Sequence, residues 1–126
     1  MPGSSLWLLP PPSTSLTTTL QSLITTSIPS LFPSTPPSFI PHITLTSNIT
    51  SIPSDPQVWL DDLVLPELSS IEIQSPKVGH IFFQKLTLAC HKSAQLTALA
   101  KACREQAVGD DAEVFAEGYY PHASLM

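Results

Sequence analysis

Residues 39–49 (FIPHITLTSNI) and residues 119–126 (YYPHASLM) contain the same pattern of proline, histidine, an apolar residue, a hydroxyl residue and leucine. The first copy of this pentapeptide begins at Pro41 and the second begins at Pro121, 80 residues later. The first stretch is rich in β-branched residues and lies between turn formers, so it predicts a β-strand, and we predict a second strand at residues 119–126. A duplicated unit with one copy of the pattern in each half explains the repeat.

The two pentapeptides place reactive side chains in pairs. Alternate residues of a strand share a face, so His42 points the same way as Thr44, and His122 the same way as Ser124. An imidazole titrates near neutral pH and can act as acid or base, and a hydroxyl can donate a hydrogen bond to a phosphate oxygen. Two such strands facing each other across a groove would surround one phosphorus atom with both pairs. The motifs therefore predict two-histidine hydrolysis of a strained cyclic phosphate.

Alternative interpretations of the histidines have less support in the sequence. A single His-x-Thr in a strand is usually a surface histidine, but the doubled pentapeptide argues against chance. His80 and His91 have no matching neighbours, and we interpret both as surface residues. Zinc ligands usually come in closely spaced histidine or cysteine pairs, and no such pair occurs in the chain. We therefore predict neither a metal nor another cofactor.

The rest of the chain predicts the element order β-α-β-α-β-β-α-β, which is typical of an α+β domain with mixed strand pairing. Apolar residues at helical spacing predict two helices, and Asp55 followed by Pro56 predicts the start of a third. Val114 and Phe115 are predicted to begin a short extended piece. The remaining predicted positions are helices at residues 13–28 and 93–108, strands at 4–9, 71–74 and 80–90, and a hairpin turn at 76–79 (PKVG) between the last two strands.

Composition restricts the possible partners. The 126 residues allow a single domain, and an apolar fraction of 42% allows a core. A net charge of −5 disfavours a long nucleic acid, which normally requires a basic stripe, but it is compatible with a small phosphate ligand. All charged side chains lie between Asp55 and Glu117. A disordered leader is the alternative interpretation of the uncharged, proline-rich residues 1–54.

The sequence also predicts an intracellular location. No apolar span is long enough to cross a bilayer, and the first residues lack the basic region of a secretory signal. Cys90 and Cys103 could be bridged or free, and without such a signal free thiols are favoured.

The quoted segments resemble the 2H phosphoesterase superfamily, which is named for its two His-x-Thr/Ser motifs. More narrowly, they are similar to the fungal 2′,3′-cyclic-nucleotide 3′-phosphodiesterases. The resemblance covers essentially all of residues 1–126, which we treat as one domain. The segments that carry it are residues 5–12 (SLWLLPPP), 39–49, 82–90 (FFQKLTLAC) and 119–126.

The resemblance implies a bilobal α+β fold, in which two antiparallel sheets with outer helices line a central groove and each lobe contributes one motif. It implies hydrolysis of nucleoside 2′,3′-cyclic phosphates to 2′-phosphates. It also implies hydrolysis of ADP-ribose 1″,2″-cyclic phosphate, a by-product of tRNA splicing, to ADP-ribose 1″-phosphate. Fungal relatives have been linked to the Golgi, so a cytoplasmic or Golgi-associated location is implied. The complete protein is expected to be a monomer.

The resemblance also assigns roles to single residues. His42 and His122 would share the general acid and base roles. Thr44 and Ser124 would bind the phosphate oxygens. Trp7 would contact the base or ribose of the substrate, with a core residue as the alternative.

Family members usually continue for several tens of residues past the second motif, so we expect the chain to be incomplete at its C-terminus. An unpaired strand edge near Leu125 and low stability would follow. Alternative functions are an RNA-end-processing enzyme of the same superfamily, whose expected basic surface is missing, and a non-catalytic nucleotide-binding fragment. A protein-interaction role through Pro33-x-x-Pro36 ranks last, because no basic residue flanks this short polyproline signal.

Overall fold

The computed structural model describes residues 4–31, 39–49, 55–78 and 86–125. These residues form a mixed α/β structure with an antiparallel sheet. None of the helices in these ranges is long and apolar enough to span a membrane. In chain order the strands and α-helices are β1 (Ser4–Leu8), α1 (Ser15–Ser22), β2 (Ile43–Ile49), α2 (Pro56–Asp61), β3 (Ile73–Val78), β4 (Leu86–Cys90), α3 (Ala94–Ala107), α4 (Ala112–Gly118) and β5 (His122–Ser124).

The five strands lie in one sheet in the order β1-β2-β5-β4-β3, with antiparallel pairing throughout. The antiparallel pairing expected of β3 with β4 is confirmed, and the residues that connect them lie outside the described ranges. The two motif strands, β2 and β5, are direct neighbours in the sheet. The two separate sheets implied by the resemblance are therefore not confirmed in the described part of the chain, where the motifs lie side by side.

The predicted N-terminal helix is confirmed with a change at its end. Thr14 caps α1, because its hydroxyl accepts a hydrogen bond from the Thr17 N–H over 3.3 Å. The chain continues as a π-helical turn over Leu23–Ser27 and a 3₁₀ turn over Pro29–Leu31. Pro29 begins this last turn, since a proline at the first helical position loses no hydrogen bond.

The predicted helix after β4 is confirmed as α3. Its N-cap is Ser93, whose hydroxyl accepts from the Leu96 N–H over 3.1 Å. The chain turns away just past its C-terminus through Gly109, at a φ of 113° that glycine adopts without steric cost. The buried side of α3 packs on Leu45 of β2, whereas Leu125 packs on the helical residues that follow β1. The leucines that close the two pentapeptides are thus anchored in different parts of the core.

Three expectations about local structure were wrong. Val114 and Phe115 lie in α4 rather than in an extended piece, because Ala112 and Ala116 are buried at helical spacing against α3. Residues 76–78 belong to β3 instead of a turn; β3 is at the sheet edge, where a proline is tolerated.

The third error concerns the end of β5. This strand lies between β2 and β4. Leu125 is buried, and its N–H donates to the Leu86 carbonyl over 2.8 Å. The expected unpaired edge near Leu125 is absent from the described residues. His80 and most of the strand predicted at residues 80–90 lie outside them, up to residue 85.

Both cysteines are buried and free, as predicted. Burial raises the pKa of the Cys90 thiol and raises that of Cys103 to about 11. Both therefore behave as small apolar core residues at neutral pH.

Candidate active site

The pairing of β2 with β5 brings the two motifs together. Ile43 lies opposite Ala123 in this antiparallel pair, and both side chains are buried in one core cluster. Residues on either side of a buried strand position point to the opposite face of the sheet. The four predicted motif residues therefore share one face: His42, Thr44, His122 and Ser124.

The register also fixes which motif residues face each other. With Ile43 opposite Ala123, an antiparallel ladder places His42 across from Ser124 and Thr44 across from His122. Directly opposed residues have Cβ atoms about 4.5–5.5 Å apart. Each imidazole is thus within reach of the hydroxyl of the other motif, and the two motifs are related by an approximate two-fold axis through the central pair.

These four side chains line one open cavity of about 480 Å³. Trp7 lines it too and is 46% exposed, so the alternative of a core residue is wrong. Apart from the two imidazoles, the lining among the described residues consists of hydroxyl, aromatic and aliphatic side chains. The cavity is within the size range of small-ligand sites, about 300–1,000 Å³.

Both imidazoles are held in the same tautomer by the main chain. Nδ1 of His42 lies 2.6 Å from the carbonyl oxygen of Ile40, and Nδ1 of His122 lies 2.9 Å from that of Tyr120. A carbonyl oxygen only accepts hydrogen bonds, so Nδ1 carries the hydrogen in each neutral ring. Nε2 is then the nitrogen with the free lone pair, and it is available for proton transfer in both motifs.

Aromatic rings cover one side of each imidazole. Trp7 stacks on His42 with ring centroids 3.7 Å apart and planes inclined by 12°, and Phe39 meets the same imidazole edge-on at 6.0 Å. Tyr120 stacks on His122 at 5.1 Å and 25°. Trp7 reaches its partner because β1 pairs with β2 and places Trp7 opposite Thr44.

Sequence reasoning missed the aromatic residues next to the two histidines. Phe39 and Tyr119 occupy equivalent places, three residues before His42 and His122, and both line the cavity. Tyr120 also lines it. Extending the repeated pattern by two residues toward the N-terminus would have found the first two.

One wall of the cavity is supported by Arg104 of α3. Its Nη1 donates to the Thr46 hydroxyl over 3.1 Å and to the Ser47 carbonyl over 2.8 Å, and both residues line the cavity. The guanidinium also lies over the ring of Phe115, with 5.0 Å between Cζ and the ring centroid. Two further hydrogen bonds, of 2.8 and 2.6 Å, join it to the carboxylate of Asp111.

This ion pair changes the acidity of both partners. The hydrogen bond from Arg104 holds the pKa of the Asp111 carboxyl below its ordinary value, and the same bond raises the pKa of the guanidinium. The charge behind the cavity wall is therefore balanced locally at neutral pH.

No group of three or more histidine, cysteine or carboxylate side chains in the described residues is arranged to hold a metal ion.

Two His-x-Thr/Ser motifs on one face of an antiparallel sheet, around one cavity, match the pair of motifs for which the class of 2H phosphoesterases is named. The match to a family is more specific. All of residues 1–126 match the cyclic phosphodiesterase-like proteins, and the chain belongs to that family.

Three similar fungal proteins bear the name 2′,3′-cyclic-nucleotide 3′-phosphodiesterase. The one from Phaeosphaeria nodorum is 42% identical over 137 residues, an alignment that covers 100% of this chain and 69% of the relative. The one from Yarrowia lipolytica is 39% identical over 117 residues, covering 84% of this chain and 51% of the relative. The one from Neurospora crassa is 32% identical over 150 residues, covering 100% of this chain and 71% of the relative.

Proposed function

We propose that this chain hydrolyses nucleoside 2′,3′-cyclic phosphates to nucleoside 2′-phosphates by acid–base catalysis with two histidines and without a metal. The observation that carries the proposal is the register of β2 and β5. Ile43 opposite Ala123 sets both imidazoles and both motif hydroxyls around one cavity. Membership of the cyclic phosphodiesterase-like family and the names of the three relatives support the same reaction.

In the proposed reaction, one imidazole acts as base and the other as acid. Nε2 of the base accepts a proton from water while the water oxygen forms a bond to phosphorus. The bond from phosphorus to the ribose 3′-oxygen breaks, and Nε2 of the protonated second imidazole gives its proton to that oxygen. Thr44 and Ser124 donate hydrogen bonds to the non-bridging phosphate oxygens, where charge increases in the transition state. The common tautomer of His42 and His122 supports this scheme because it leaves Nε2 free in both.

The aromatic residues of the cavity fit the remainder of such a substrate. Trp7 and Tyr120 are both about half exposed beside the imidazoles, so either ring can contact a base or ribose. We include ADP-ribose 1″,2″-cyclic phosphate, and with it a role after tRNA splicing, as a second substrate of the same site. Golgi association and a monomeric state stay predictions.

The proposal extends to the bilobal arrangement of the superfamily, with β1 and β2 in one lobe and β3, β4 and β5 in the other. Each lobe then contributes one motif. In the described residues, β2 and β5 share a single register pair, whereas β1 and β2 share four and β4 and β5 share three. The shortest ladder of the three thus lies between β2 and β5, where the two lobes would meet, and this supports the division.

The test is hydrolysis of 2′,3′-cyclic AMP in the presence of EDTA, with 2′-AMP measured by chromatography. His42→Ala and His122→Ala should each lower kcat by about 10²–10⁴-fold, the usual contribution of a general acid or base. His91→Ala is the matched control, because His91 is exposed and does not line the cavity. Its activity should equal that of the unmodified chain.

Each alternative gives a different result in this experiment. Full activity in either cavity-histidine variant would refute the two-histidine mechanism. Loss of wild-type activity in EDTA would favour a metal enzyme. Binding of 2′,3′-cyclic AMP without turnover would favour the non-catalytic nucleotide-binding alternative.

A further inference from the structure

The side chain of Tyr119 connects the two motifs. Its phenol donates a hydrogen bond of 2.8 Å to the main-chain carbonyl of Thr44. Tyr119 lies three residues before His122, and Thr44 lies two residues after His42. One hydrogen bond therefore connects the segment that leads into β5 with the hydroxyl residue of the first motif on β2.

The surroundings of Tyr119 make this hydrogen bond a fixed part of the structure. Tyr119 is only 9% exposed and packs in the core cluster with Leu45 of β2 and Cys103 of α3. Its main-chain N–H donates to the Ala116 carbonyl over 3.4 Å, so the residue also marks the end of α4. Burial raises the pKa of the phenol well above its ordinary value, so the hydroxyl is protonated at neutral pH and can donate this hydrogen bond.

The ladder between the two motif strands needs such a support. In the described residues β2 and β5 share the single register pair of Ile43 and Ala123. That pair fixes which residues face each other, but a single pair restricts the tilt of β2 against β5 less than three pairs restrict the tilt of β4 against β5. A second connection beside it, at the Thr44 carbonyl, restricts this tilt.

We propose that Tyr119 is a positioning residue for the proposed hydrolysis, whose hydrogen bond to the Thr44 carbonyl holds the Thr44 hydroxyl opposite the imidazole of His122. The inference rests on the proposed function. Tyr119 acts through Thr44 rather than on the substrate. Loss of its hydroxyl should therefore impair turnover more than substrate binding, since displacements of about 1 Å at a reacting centre can cost on the order of 10²-fold in rate.

The test is Tyr119→Phe, which removes the hydroxyl and keeps the ring. With 2′,3′-cyclic AMP we expect kcat to fall by about 10–100-fold and KM to change by less than about threefold. Cys103→Ala is the matched control, because it loosens the same core cluster without touching Thr44. It should keep the wild-type kcat at temperatures where circular dichroism shows it to be folded.

Two outcomes would overturn the inference. The first is a wild-type kcat in Tyr119→Phe. The second is a loss of kcat equal to that of Cys103→Ala at the same folded fraction, which would make Tyr119 a merely structural residue.

If the unmodified chain shows no turnover, the proposed function fails, and a second measurement still decides the role of Tyr119. Inorganic phosphate is titrated into both proteins while the side-chain NMR signals of His42 and His122 are followed. The wild type should show one common Kd from both imidazoles, and Tyr119→Phe should bind several-fold more weakly. Equal Kd values would overturn the inference.

Discussion

Replacing Arg104 by methionine should destabilise the protein mainly because β2 loses a hydrogen-bond donor, and only secondarily because an ion pair is lost. Methionine keeps an unbranched apolar stem of similar length in a side chain that is 13% exposed. The substitution removes the donor to the Thr46 hydroxyl and to the Ser47 carbonyl. Asp111→Asn removes the charge of the partner and leaves these two hydrogen bonds in place.

The magnitude follows from the burial of the groups left behind. Thr46 is 1% exposed, and a buried polar group without its partner costs about 1–3 kcal/mol. Loss of the guanidinium from the ring of Phe115 adds about 0.5–1 kcal/mol. The Asp111 side chain is 49% exposed, and ion pairs that reach into water contribute little. We expect Arg104→Met to cost roughly 2–4 kcal/mol and Asp111→Asn clearly less.

The assay is equilibrium unfolding in urea at pH 7, where a lower midpoint with an unchanged slope reports lost stability. A pH series isolates the contribution of the carboxylate. Arg104 depresses the pKa of Asp111, so this contribution is present above the ordinary carboxyl pKa of 3.8 and disappears as the pH falls through the lower, folded-state value. The difference in the free energy of unfolding between the wild type and Asp111→Asn should vanish in acid. The loss of stability in Arg104→Met should persist there, because the hydrogen bonds to β2 are still missing. Equal losses for both variants at pH 7 would refute the reasoning, because the ion pair would then carry the whole effect.

Three further predictions concern the core and α3. Leu96→Ala should lower the free energy of unfolding in urea by about 2–5 kcal/mol, because Leu96 is 0% exposed. A loss below about 1 kcal/mol would show that neighbouring side chains fill the space that the leucine leaves. Ser93→Ala should lower the free energy of unfolding by about 1 kcal/mol, because it removes the N-cap of α3, and Ser93→Thr should retain most of the stability that the cap provides. Burial raises the pKa of Cys103 from 9.0 to about 11, so stability should be full below pH 9 and fall as the pH rises toward 11, since the unfolded thiol ionises first. Cys103→Ala should flatten this part of the stability profile, and an equally steep profile in that variant would assign the effect to another group.

The residues of the candidate site were predictable because they depend on a local rule. Strand alternation alone places His42 with Thr44 and His122 with Ser124, whichever strands lie beside them. The position of Trp7 depends in addition on which strands pair, since its stacking on His42 follows from the pairing of β1 with β2. The sequence predicted that Trp7 contacts the substrate only through the resemblance.

The arrangement of the strands was not predictable from local patterns. Nothing in either pentapeptide specifies that β5 inserts between β2 and β4, because strand order depends on contacts between distant segments. The same holds for α4, a seven-residue helix that is stabilised by packing on α3 rather than by its own propensity. The local sequence around Pro76 predicts a turn, whereas its tolerated place in an edge strand depends on the order of the whole sheet.

The position of β5 has a consequence for how the molecule loses activity. This strand is three residues long, yet it lies at the centre of the sheet and connects the pair β1-β2 with the pair β3-β4. A fluctuation that detaches β5 from β2 would leave the helices and both outer strand pairs intact while it separates the two imidazoles. Such partial opening requires less free energy than global unfolding. Under mild heat or denaturant, catalytic function should therefore disappear from molecules whose circular dichroism is still that of the native state.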